Sequence, residues 1–194
     1  MKSTLAGIFV GGKASRMGFV AKGLLASPEG DALVPRLHAL LAPRVEHVVL
    51  AGAHAEYTHL GIPIVEDDTR AEGPLAGLLA LLELAHARGY AHVLAVACDL
   101  PFVNDVLVER LLEPAAGTVA PRRDGRWEPL FARYETGRAL DQATRRAREK
   151  DFGLQGLLTA LDARMLALAP VERRLLDDWD TPEDVARAGS SAKT

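Results

Sequence analysis

The sequence predicts an α/β fold built on a mostly parallel sheet. Short apolar runs, several rich in β-branched residues, recur along the chain without the in–out alternation of a half-solvated sheet, as expected of strands covered on both faces. Segments with helical spacing fall between them, which is the pattern of a βαβ ladder. Glycines or carboxylates stand where the runs end, and those strand ends are where open α/β sheets bind ligands. With 48% of its 194 residues apolar, the chain can bury a core of its own, and it reads as one domain over residues 1–189 with a disordered tail at 190–194.

Taken in order, Leu5, Ile8, Phe9 and Val10 form the first strand, stopped by Gly11 and Gly12. Residues 33–42 carry a helix, with Pro35 near its start and Pro43 beyond its end. The β-branched HVVLA at 47–51 is the second strand, ended by Gly52. A polar connection with a helical turn or two at 53–60 precedes a third strand at 62–65. A strong helix runs from Gly73-Pro74 to Arg88, then comes HVLAVA at 92–97 and a helix at 105–112. Residues 118–122 and 128–134 read as two strands of a hairpin turning near Asp124-Gly125. The segment 136–148 is amphipathic, with Leu140 and Ala143 inward and arginines outward. Another helix begins at Gly153, a late strand is expected at 164–168, and Thr181-Pro182-Glu183-Asp184 has the chemistry of a helix start.

Composition narrows the function classes. A net charge of −3 with acids and bases intermixed argues against nucleic acid as the main partner. One cysteine excludes an internal disulfide and a multi-cysteine metal site and suits a reducing cytoplasm. No signal-peptide pattern and no run near the roughly 20 apolar residues of a membrane helix is expected. The six histidines show no metal-ligand spacing, and His47 and His92, each before a strand, are expected at an edge of the sheet.

The chemistry concentrates at the strand ends. After the first strand, the glycine pair allows main-chain N–H groups to approach a ligand closely, and Lys13, Arg16 and Lys22 follow on the same loop. Strand, glycines and cations together suit a polyanion such as a nucleoside triphosphate. Glu66, Asp67 and Asp68 close the third strand, either as site carboxylates or as a solvated turn or helix cap. Asp99 leaves a fully apolar strand and needs compensation, from a divalent cation bridging it to phosphate oxygens or from capping the helix that begins near Asn104. Cys98 reads as a small buried filler. Arg122, Arg123, Arg126 and Trp127 crowd the hairpin tip, as a solvated basic surface or as the site of an anionic second substrate.

Gly-Gly-x-x-x-Arg-Met-Gly followed by Lys22, Leu24 and Leu25, then GPLAG at 73–77, Cys-Asp-x-Pro at 98–101 and Thr-Pro-Glu-Asp at 181–184 together resemble the molybdenum cofactor guanylyltransferase family, over about residues 5–188. The resemblance implies a three-layer, Rossmann-like nucleotidyltransferase fold with an antiparallel strand in the second half. It implies transfer of GMP from GTP to the terminal phosphate of molybdopterin, with Mg2+ as cofactor and release of pyrophosphate. Arg16, Lys22 and Asp99 are the implied catalytic residues, with Asp99 as metal ligand. Phe9, Val10, Gly11, Gly12, Asp67, Gly73 and Asp180 join them as nucleotide-binding positions. GTP and molybdopterin are the implied partners, with transient contact to molybdoenzyme-maturation proteins and none to nucleic acid or membrane.

The chain departs from the family pattern at Val10 (alanine in the family), Phe19 (often glycine), Ala21 (aspartate) and Ala51 (asparagine in some members), and Asp178 and Asp180 replace two asparagines. Two alternatives therefore stand beside the guanylyltransferase: a relative using CTP or a sugar phosphate, and a weakly active paralogue that binds nucleotide or pterin.

Overall fold

The computed structural model describes residues 3–10, 21–27, 30–52, 55–113 and 116–179. Its sheet is assembled from β1 (Thr4–Phe9), β2 (His47–Ala51), β3 (Ile64–Val65), β4 (His92–Ala97), β5 (Val119–Arg123), β6 (Arg126–Trp127), β7 (Phe131–Glu135) and β8 (Arg164–Leu166). The order is β3-β2-β1-β4-β7-β5-β6, with β8 paired to β5. β1, β2, β3 and β4 are mutually parallel neighbours, whereas β7 runs antiparallel to both β4 and β5. The mostly parallel sheet with an antiparallel strand in the second half is thus the observed one.

Helices cover both faces, giving three layers. One core holds α2 (Pro74–Ala87), α4 (Thr136–Arg148) and α5 (Leu154–Ala160); the other holds α1 (Leu33–Leu41) and α3 (Asp105–Leu112). α2 lies against the sheet on one side and α4 on another, so Leu75, Leu78, Leu79, Leu81 and Leu82 are all fully buried. Each such leucine contributes about 1.5–3 kcal/mol through its burial. A Cβ on Gly7 of β1 would stand 2.3 Å from Leu81 Cδ2, so the glycine lets α2 seat closely on the central strand. α4 can approach α2 because its inward seam is Ala139, Ala143 and Ala147, with Leu140 on the margin.

α3 is capped by Asn104, whose side chain accepts from the Leu107 amide at 3.0 Å. Asp99 is therefore not that cap. The buried Arg133 of β7 donates to the carbonyls of Leu112 and Gly117, each at 3.1 Å, and so satisfies main-chain oxygens where α3 ends.

The expected second hairpin strand, 128–134, is instead a turn at 128–130 followed by β7, and the strand that completes the hairpin, β6, lies just before it. Pro129 has no N–H to give a ladder, and Phe131 N closes the turn onto Glu128 O at 3.1 Å. β6 pairs with β5 across Asp124 and Gly125, both at positive φ (48° and 79°). β7 then goes to β4. The third strand is likewise shorter than 62–65, beginning after Pro63. His47 and His92 start β2 and β4, which are interior strands, so they mark the N-terminal end of the sheet and not an outer strand. Among the described residues no helix is long and apolar enough to cross a membrane.

Candidate active site

The C-terminal ends of β1, β2 and β4 lie side by side because their register aligns Phe9 with Ala51 on one side and with Ala97 on the other. Two more main-chain bonds continue that alignment: Val10 N to Ala51 O at 3.0 Å, and Cys98 N to Phe9 O at 3.1 Å. Phe9 and Val10 are buried on opposite faces, Phe9 against α2 and Val10 towards α1 and α3.

The next described segment carries Lys22, on a 3-10 turn over Lys22–Leu24. Its ammonium stands 3.3 Å from Asp99 Oδ2, across 77 residues of sequence. Lys22 and Asp99 are 19% and 21% exposed, so the pair is sheltered yet reachable. Lys22 and Asp99, singled out from separate motifs, are thus brought together.

Asp67 follows β3 and is exposed at the same end of the sheet. Its Oδ1 lies 3.1 Å, and the Phe9 ring 3.0 Å, from where a Cβ on Gly77 would be, so the glycine makes room for both. Gly73, at the N-cap of α2, has φ 60° and ψ −148°, a conformation that disfavours any side chain. The intervening loop is fastened from outside: Arg70 binds Asp68 through Nε at 2.9 Å and also reaches Glu83 of α2. Hydrogen bonding from Arg70 holds the Asp68 carboxyl below its ordinary range.

Several contributions had no signal in the sequence. Tyr57, in the 3-10 turn Ala55–Leu60, is buried, and its hydroxyl accepts from Gly23 N at 3.1 Å. Trp179 donates its amide to Asp99 O at 3.0 Å and meets Phe102 edge-on, which brings the C-terminal segment alongside the Asp99 turn. Arg36 of α1 reaches Val103 O, in the loop after Asp99, at 3.0 Å. Each of these bonds joins groups far apart in sequence, so only the tertiary structure reveals the links.

Burial, with the Asp99 charge adjacent, pushes the Cys98 thiol up to about 12. It carries no thiolate at neutral pH and serves as core. At the hairpin, Arg122 stacks over Trp127 at 4.7 Å, while Arg123 is held by Glu128 at 2.6 Å and Asp177 at 2.9 Å. Arg122 and Arg126 present the exposed cations there. Gly11, Gly12, Arg16 and Asp180 lie outside the described residues, as does the helix start at 181–184.

Residues 6–164 match the family model described as a MobA-like NTP transferase domain. A molybdenum cofactor guanylyltransferase of Ectopseudomonas mendocina is 32% identical, over 95% of this chain and 91% of the relative. Among solved structures, the molybdopterin-guanine dinucleotide biosynthesis protein A of Archaeoglobus fulgidus superposes with a TM-score of 0.74 at 20% identity, over 97% of each chain. A 2-C-methyl-D-erythritol 4-phosphate cytidylyltransferase of Thermus thermophilus gives 0.66 at 19% identity, over 100% of each. At those identities the two structures speak for a shared nucleotidyltransferase-like fold.

Proposed function

Because this chain belongs to the MobA-like NTP transferase family, we propose that it transfers GMP from GTP to the terminal phosphate of molybdopterin and releases pyrophosphate. The observation that carries this reading is the meeting of the Lys22 ammonium and the Asp99 carboxylate, 3.3 Å apart, at the C-terminal end of the parallel strands. An acceptor phosphate is already ionised at pH 7, so the transfer needs no general base. Its oxygen attacks the α-phosphorus, the α–β anhydride bond breaks, and pyrophosphate departs with the electron pair. The protein's task is to position the two anions and offset their charge. Lys22 takes the charge that grows on the α-phosphate. Gly11, Gly12 and Arg16, on the loop that β1 feeds, hold the β- and γ-phosphates. Asp67 and Gly73 lie towards the nucleoside, and Asp180 is a further nucleotide-binding position. Exposed Arg122 and Arg126 face the anionic acceptor.

The donor set fits Mg2+. Among the described residues no three His, Cys, Asp or Glu side chains form a cage. One carboxylate with the remaining ligands from phosphate and water is how this ion is commonly held, and Asp99 supplies that carboxylate. When bound, Mg2+ neutralises phosphate charge as a Lewis acid.

The test is to incubate the protein with molybdopterin, Mg2+ and each of the four triphosphates, identify the product by mass and measure pyrophosphate. The guanine dinucleotide is expected, and Lys22→Ala and Asp99→Asn should each lower the rate by roughly 10²–10³-fold. A cytosine dinucleotide would reassign the base. Undiminished release from Asp99→Asn would overturn the metal role.

A further inference from the structure

Lys22 reaches Asp99 only if its own short turn is held at the right height above the sheet. Within that turn, Leu24 N pairs with Ala21 O at 2.9 Å and Leu25 N with Lys22 O at 3.0 Å. Local pairing does not serve Gly23 N, which instead donates to the Tyr57 hydroxyl at 3.1 Å, 34 residues away. Tyr57 is 2% exposed and packs in the same core as Val34 and Cys98, the residue that precedes Asp99. A Cβ on Gly23 would lie 2.4 Å from Val34 Cγ2 and 3.0 Å from both Cε1 and the hydroxyl of Tyr57. The turn is therefore seated directly on the tyrosine, with no space for a side chain between them. Burial foremost, and then the nearby Cys98, raise the hydroxyl to about 12, so it acts as a neutral hydrogen-bond partner throughout the physiological range.

We propose that Tyr57 is a positioning residue for nucleotidyl transfer: its buried hydroxyl anchors the Gly23 amide and thereby sets where the Lys22 ammonium stands relative to Asp99. This rests on the transferase reading of Lys22 and Asp99. A side chain in the connection after β2 thus controls the turn that carries Lys22. Small displacements of a group that must meet a developing charge are costly, so the effect belongs in the chemical step and not in nucleotide affinity.

The experiment is a double-mutant cycle. Tyr57→Phe keeps the ring and removes the acceptor. It is expected to lower kcat roughly tenfold or more, with KM for the triphosphate changed less than about twofold. In a Lys22→Ala background the same substitution should change kcat by less than about twofold, because the group it positions is gone. An equal factor in both backgrounds, or no fall in kcat with Lys22 present, overturns the proposal. Gly23 amide exchange is read by NMR on the same samples and should quicken at least tenfold in Tyr57→Phe; unchanged exchange also overturns it. If the unaltered protein releases no pyrophosphate, the transferase reading fails instead, and Gly23 exchange still decides whether Tyr57 holds the turn.

Discussion

Gly23 is the residue on which the candidate site is most finely balanced. Its α-carbon rests against Val34 and Tyr57, both buried, and neither can move without disturbing the core around Ile8, Leu37 and Cys98. Gly23→Ala should therefore destabilise the fold by about 1–3 kcal/mol, as overpacking does, and also lift Lys22 away from Asp99. Urea unfolding and pyrophosphate release check the two effects separately; an alanine tolerated in both would show that the turn seats elsewhere. Lys22 and Asp99 were legible in the sequence because each follows an apolar strand within a recognisable string. Tyr57 and Trp179 were not, since each acts through a hydrogen bond to a main-chain group 34 or 80 residues away, and no local pattern encodes such a bond.

At the level of elements, most boundaries follow from periodicity and punctuation. α3 and α4 occupy the expected residues, and β2 and β4 do so as well. The hairpin does not, because Pro129 falls within the expected strand although it cannot donate to one. A related device completes β6, a strand only two residues long. The Gln155 side chain of α5 accepts from Trp127 N at 2.9 Å and donates to Trp127 O at 2.8 Å, standing in for a further strand. The sheet's outer margin is thus closed by an amide side chain. Gln155→Leu leaves both Trp127 groups without that partner, and we expect a loss of about 1–2 kcal/mol in urea unfolding. An unchanged midpoint would mean that solvent satisfies the strand just as well.

Across the whole molecule, the two ends of the sheet are chemically distinct. The C-terminal end gathers Lys22, Asp67 and Asp99, while the N-terminal end holds His92 among Thr4, Arg133 and Glu135. The ladder pattern made the first end legible, but it could not show that β7 would return antiparallel and bring Arg133 beneath β4. His92 consequently sits half-buried near a buried guanidinium. Desolvation first, and then the Arg133 charge, lower its pKa below the ordinary 6.5, against the opposing pull of Glu135. A lowered folded value means that the unfolded chain takes up the proton more readily. His92 therefore lends full stability above about pH 6.5, and that contribution is lost as the pH falls from there through the folded value. Urea unfolding at a series of pH values should show His92→Gln losing less stability than the unaltered protein between pH 7 and pH 5. The difference should vanish above pH 7, once the constant offset of the substitution is subtracted. Parallel pH profiles would mean that His92 titrates alike in both states and that Arg133 exerts no net charge upon it.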